Sequence, residues 1–214
     1  MEIIVADVYG FCGGVKRAVK MAFDNADKGV YSYGDLVHNE FVVDELQRKG
    51  VEEIDDTNIE NSKVIIRSHG VHKNILDDLK KRNNEIINCV CPKVENIYNI
   101  VDNFYEKGYN IVIIGNNRHP EVIGINSRCN DSATIISSLK DIKIPDGKIV
   151  VVSQTTSNVD FFENAINVIK DISKDEVLVY NTICNATFKR QESVRNLSKK
   201  VDAIIVLGGK KSSN

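Results

Sequence analysis

The chain has 214 residues, with 42% hydrophobic and 27% charged residues and 30 acids against 28 lysines and arginines. At about 150 residues per domain this is one large α/β domain or two to three small lobes with a real core. The net charge of −2, the lack of any apolar run near the ~18 residues of a membrane span, and an odd five cysteines exclude membrane, disordered, collagenous and disulfide-scaffold classes, and leave no bulk basic field for nucleic acid.

In chain order, short β-branched runs predict strands at 3–6, 30–33, 64–67, 85–89, 111–115, 134–137, 149–153, 177–180 and 203–207. Several are almost continuously Val and Ile, as in parallel strands buried on both faces. Amphipathic stretches between them predict helices at 15–26, 41–49, 73–82, 93–107, 159–172 and 187–199, with Gly50 and Gly108 just past two of the ends. The alternation argues for an α/β chain built on mostly parallel sheet. The opening residues carry no signal-peptide pattern, so a cytoplasmic, reducing setting is expected for the cysteines.

Cys12, Cys91 and Cys184 share one setting, between an expected strand and an expected helix. That edge of an open α/β sheet is where ligands bind, and a helix N-terminus favours thiolate. The three cysteines lie 79 and 93 positions apart, one for each of three quasi-equivalent α/β lobes around a common centre. The lobes are expected at 1–91, 92–180 and 181–214, with residues 1–13 able to pack on the third lobe instead. The third lobe looks incomplete, and the chain is expected to continue beyond Asn214.

Three converging thiols leave several readings open. An iron–sulfur cluster with one iron lacking a protein thiolate fits widely separated ligands. Zinc or another metal is an alternative, although the only close pair is Cys89-x-Cys91, and unrelated cysteines are a third. Polar loops follow the strands: Val37-His38-Asn39, Ser68-His69-Gly70, Arg118-His119-Pro120-Glu121, Gln154-Thr155-Thr156 and the tail Lys211-Ser212-Ser213-Asn214. Gathered at one edge, such groups suit an anionic substrate, with Glu121 able to relay protons. No Gly-x-Gly-x-x-Gly follows a strand, and Gly208-Gly209-Lys210 lacks the spacing of a phosphate loop, so no dinucleotide site is visible.

The succession Gly-Phe-Cys-Gly-Gly-Val, Val-His-Asn, Ser-His-Gly-Val, Cys-Pro-Lys-Val, His-Pro-Glu-Val, Gln-Thr-Thr, Ile-Cys-Asn-Ala-Thr-Phe-Lys-Arg-Gln and Ser-Ser-Asn, from Ala6 to Asn214, resembles the LytB/IspH family. The resemblance implies a three-lobed trefoil around a central [4Fe-4S] cluster held by Cys12, Cys91 and Cys184. It implies reductive dehydroxylation of 4-hydroxy-3-methylbut-2-enyl diphosphate to isopentenyl and dimethylallyl diphosphate, the last step of the non-mevalonate isoprenoid route. Glu121, His119 and Thr155 would be catalytic; His38, His69, His119, Thr155, Thr187, Ser212, Ser213 and Asn214 would bind substrate. The implied electron donor is a ferredoxin or flavodoxin. Some members of the family continue into RNA-binding repeats of the ribosomal S1 type.

The chain departs from the family pattern at Asn88, where an acid is common, and in lacking a final Gly/Ser-rich motif. Cys89 and Cys129 match no ligand position and read as core thiols, and His72 reads as a first-turn residue. Two rival readings follow. One is an incomplete fragment that holds a cluster without turnover; the other is a thiol enzyme using Cys12.

Overall fold

The computed structural model describes residues 2–209. Two four-stranded sheets, parallel throughout, carry the fold. The first has β1 (Val30–Tyr33), β2 (Glu52–Ile54), β3 (Lys63–Ile66) and β4 (Glu85–Asn88) in the order β2-β1-β3-β4. The second has β5 (Asn110–Ile114), β6 (Thr134–Ile136), β7 (Ile149–Ser153) and β8 (Val177–Val179) in the order β6-β5-β7-β8. One topology therefore appears twice in the chain.

The helices are α1 (Gly13–Asp24), α2 (Glu40–Arg48), α3 (Lys73–Lys81), α4 (Pro92–Glu106), α5 (Pro120–Asn126), α6 (Val159–Ile172) and α7 (Asn185–Ser198), with a 3-10 turn at Ser127–Cys129 after α5. Central strands are buried on both faces, as their runs of Val and Ile require. Ile111, Ile113, Val150 and Val152 pack with Ile97 and Val101 of α4 and with Val122 and Ile125 of α5. Val112, Ile114, Ile149 and Val151 face Phe162, Ile166 and Ile169 of α6 instead. Each such side chain contributes roughly 1.5–3 kcal/mol by leaving water. In the first sheet Ile65 packs with Ala18, Ala22 and Leu46 of α1 and α2, while Val64 and Ile66 meet Leu79 of α3 and Val94 of α4. Helix α4 thus touches both sheets.

Two expected strands are absent. Residues 3–6 and 203–207 have no ladder partner among the described residues, and Ile3, Ile205 and Leu207 are 79%, 85% and 91% exposed. β-branched composition supplies a preference, whereas a strand also needs a neighbour for its backbone groups. Cys12 therefore follows irregular chain rather than a strand. Two elements escape the sequence reading. β2 is a three-residue edge strand with two exposed glutamates, and α5 is a seven-residue helix with Gly124 inside it. Several helices also start a residue or two earlier than their apolar pattern, because the start is set by the cap.

Helix α7 is joined to the start of the chain. The Val8 amide donates to Ser193 Oγ at 3.4 Å, and Arg190 donates to the Gly10 carbonyl.

Candidate active site

The fold places polar loops at two equivalent points. In each sheet the two central strands send their connections to opposite sides, which opens a crevice beyond their carboxyl ends. The crevice of the first sheet carries His38 after β1 and His69 after β3; that of the second carries His119 after β5 and Thr155 after β7. The two crevices face each other. The His38 and His69 rings stack with centroids 4.4 Å apart, and His119 meets them edge-on at 6.1 and 5.5 Å.

One ligand atom from each imidazole lies within 4.8 Å of the others, a spacing at which a metal ion could be held. The hydrogen bonds decide between metal and anion. His119 caps α5, and its Nδ1 accepts from the Glu121 amide at 3.2 Å. That acceptance leaves the ring proton on Nε2, which is buried and has no partner. A metal at Nε2 would force the proton onto Nδ1, against the Glu121 N–H. His119 therefore presents a donor, and an unpaired buried donor of this kind calls for an oxygen acceptor. Burial, then the neighbouring His38 and His119 and the Arg67 charge, hold His69 down to about 3; burial, His38 and Arg67 hold His119 down to about 4. Both are neutral near pH 7, and an incoming polyanion would draw protons onto them.

Behind His119, Glu121 is 1% exposed. Its Oε1 accepts from the Thr155 amide at 2.6 Å and its Oε2 from Thr155 Oγ1 at 2.7 Å. Burial raises the carboxyl to about 7, with the two Thr155 bonds working in the opposite direction. An acid poised near the working pH, bonded to a hydroxyl, can pass a proton in either direction.

The three proposed thiol ligands all sit at N-caps: Cys12 of α1, Cys91 of α4 and Cys184 of α7. Cys12 Sγ accepts from the Val15 amide at 3.5 Å. Burial raises the Cys91 thiol, the Lys93 and Val94 amides lower it, and the nearby Cys12 and Cys184 raise it again. The helix starts thus crowd three thiols together while supplying amides that favour thiolate. Gly14 is needed for the crowding, since a Cβ there would lie 2.6 Å from Cys91 Sγ and 3.9 Å from Cys12 Sγ. Three thiols from three helix starts fit a polynuclear iron–sulfur group.

Backbone hydrogen bonds tie the thiols to the polar crevice. The Cys91 amide donates to the Ser68 carbonyl, beside His69, at 2.9 Å; the Cys184 amide donates to the Thr155 carbonyl at 2.8 Å. Asn88 arranges the Cys91 loop, accepting from the Val90 amide at 3.1 Å and donating to Glu95 at 2.7 Å. Thr187 is buried in the first turn of α7. Ser212, Ser213 and Asn214 lie outside the described residues. The chain approaches that end against the site, because a Cβ at Gly209 would fall 2.5 Å from the His38 carbonyl oxygen.

Cys89 is fully buried in the core beside α1 and α2, and burial pushes its thiol up to about 11. Cys129 is also fully buried, and its Sγ donates to the Asn126 carbonyl at 3.2 Å. His72 caps α3, with Nδ1 accepting from the Asn74 amide. The sequence reading missed Tyr98, whose buried hydroxyl lies against Gly70 and Gly124. On an amphipathic helix it reads as one more core aromatic.

The model of the LytB protein family matches residues 3–214. The 4-hydroxy-3-methylbut-2-enyl diphosphate reductase of Caldanaerobacter subterraneus subsp. tengcongensis is 44% identical, over all of this chain and 77% of the relative. A solved structure of (E)-4-hydroxy-3-methyl-but-2-enyl diphosphate reductase superposes with a TM-score of 0.78 at 38% identity, covering 98% of this chain and 78% of that one. The corresponding Plasmodium falciparum reductase gives 0.86 at 28% identity, covering 96% and 68%.

Proposed function

The chain belongs to the LytB family, and from its site we propose that it is an oxidoreductase converting 4-hydroxy-3-methylbut-2-enyl diphosphate to isopentenyl and dimethylallyl diphosphate. The observation that carries this reading is the junction of three N-cap thiols with three imidazoles and a buried acid, linked through Ser68 and Thr155. Cys12, Cys91 and Cys184 would hold a [4Fe-4S] cluster at the centre of a trefoil, with lobes at 1–91, 92–180 and 181–214. When bound, the cluster supplies single electrons and an iron without a protein thiolate that acts as a Lewis acid. The electrons would come from a ferredoxin or flavodoxin in a cytoplasmic setting.

The net reaction replaces a C–OH bond by C–H, takes up two electrons and two protons, and releases water. The residues account for the binding and for one proton. His119 Nε2–H, His38 and His69 would donate to diphosphate oxygens, and charge on the phosphate would favour their protonation. Ser212, Ser213, Asn214 and Thr187 would complete the contacts. Glu121, near half-protonated at pH 7, would pass its proton from Oε2 through Thr155 Oγ1 to the departing hydroxyl. Hydroxide is a poor leaving group, and this transfer makes it water. The Thr155 amide fixes the other carboxylate oxygen, and burial keeps bulk water from the acid.

Anaerobic reconstitution tests the cluster. The expected result is roughly four irons and four acid-labile sulfides per chain, as a [4Fe-4S] group holds, lost on Cys91→Ser and kept on Cys89→Ser. A chain that takes no sulfide but binds one zinc tightly would overturn it. Turnover in metal-free protein, abolished by alkylation of Cys12, would point to thiol chemistry instead.

A further inference from the structure

Tyr98 lies outside the proposed machinery but in contact with what supports it. Its ring, on α4, packs against core clusters of both sheets. Its hydroxyl is buried and makes no hydrogen bond. Such a group costs stability, so a packing residue here would ordinarily be phenylalanine.

The hydroxyl fits a slot made by two glycines. A methyl group at Gly70, next after His69, would overlap it, and so would one at Gly124, a turn after Glu121. Gly70 has φ +78°, which also favours glycine. The tyrosine oxygen thus occupies the space between the backbone that carries a substrate-facing imidazole and the helix that carries the acid. Around it stand Glu121, Arg128, Arg67 and Glu95, whose charges it senses.

The ring is held from outside as well. The Arg128 guanidinium lies over it, 5.6 Å from the centroid, and Arg128 Nε is itself bonded to both Asp102 oxygens at 2.9 and 3.2 Å. Beside the slot, Ser127 Oγ donates to the Gly124 carbonyl at 2.7 Å and accepts from the Lys73 amide at 3.0 Å, joining α5 to α3. Among the described residues the hydroxyl itself has no hydrogen-bond partner, and Gly70 and Gly124 flank it.

We propose that Tyr98 is a positioning residue, its hydroxyl acting as a spacer between Gly70 and Gly124 that sets the separation of His69 from Glu121 across the seam. This rests on the reductase reading above. A shift of about 1 Å in a reacting group can cost ~100-fold in rate, so a spacer one oxygen long is enough to matter.

The test is a double-mutant cycle on the full, cluster-loaded chain. Tyr98→Phe removes the oxygen; Gly124→Ala adds a methyl that collides with it. Each alone is expected to lower kcat by about 10- to 100-fold with KM changed less than threefold. In Tyr98→Phe the limb of the kcat–pH profile that reports Glu121 should also move down from about 7 as the seam loosens. The double variant restores one group to the slot and should recover most of the lost rate and the limb. Tyr98→Phe with wild-type kcat and pH profile would overturn the proposal, as would a double variant whose losses simply multiply. Absence of turnover in the wild-type chain would instead count against the reductase reading.

Discussion

Glu121 is held between two demands. Its burial raises the carboxyl to about 7, and the bonds from Thr155 moderate that effect without cancelling it. The folded chain therefore keeps the Glu121 proton between pH 4.5 and about 7, where the unfolded chain has released it. Stability from this group falls as pH rises through that window, by on the order of 3 kcal/mol in all. Glu121→Gln keeps both Thr155 contacts, since its carbonyl can accept from the amide and its NH2 can donate to Oγ1. The variant is expected to be more stable than wild type at pH 8 and equal to it below pH 4.5, as read from denaturant midpoints across pH. A difference that does not change with pH would contradict the assignment. The same substitution removes the general acid and should lower kcat by ~100- to 10,000-fold.

Helix starts and strand ends carry the site at the next scale. Three cysteines cap three helices, His119 caps a fourth, and two histidines and Thr155 leave the central strands at the crevices of the two sheets. Most of this was legible in the sequence, because strands such as 111–114 and 149–153 are apolar enough to reveal themselves and their polar followers stand out. Residues 3–6 and 203–207 look the same by composition, yet they are exposed and unpaired among the described residues. A run of Ile and Val reports a preference, and only the tertiary partner makes a strand. The opposite holds for β2, where Glu52 and Glu53 hide an edge strand that Tyr31 and Ser32 pair with in register. Amide exchange should separate the two kinds of segment. Amides at 111–114 and 149–152 are expected to exchange only on global unfolding, and those at 3–5 and 204–207 within seconds. Comparable protection in both would show that 3–5 and 204–207 are paired.

Across the whole molecule, one topology used twice brings its two crevices face to face, and the thiols lie beside them. The motif succession pointed to the family, whose model matches residues 3–214, while the cysteine spacing suggested three lobes and not one topology used twice. What the sequence could not disclose is how the two sheets are held apart. The Tyr98 slot depends on Gly70 and Gly124, which are 54 positions apart in the chain, and on a ring that reads as ordinary core. The tautomer of His119 was hidden for the same reason. It follows from one hydrogen bond to the Glu121 amide, which exists only because α5 begins there.

The most direct test is anaerobic turnover of 4-hydroxy-3-methylbut-2-enyl diphosphate by the reconstituted chain, with reduced methyl viologen as donor. Isopentenyl and dimethylallyl diphosphate should appear with two viologen radicals oxidised per molecule of product. A chain carrying its full iron and sulfide that binds the substrate yet forms neither product would contradict the assignment.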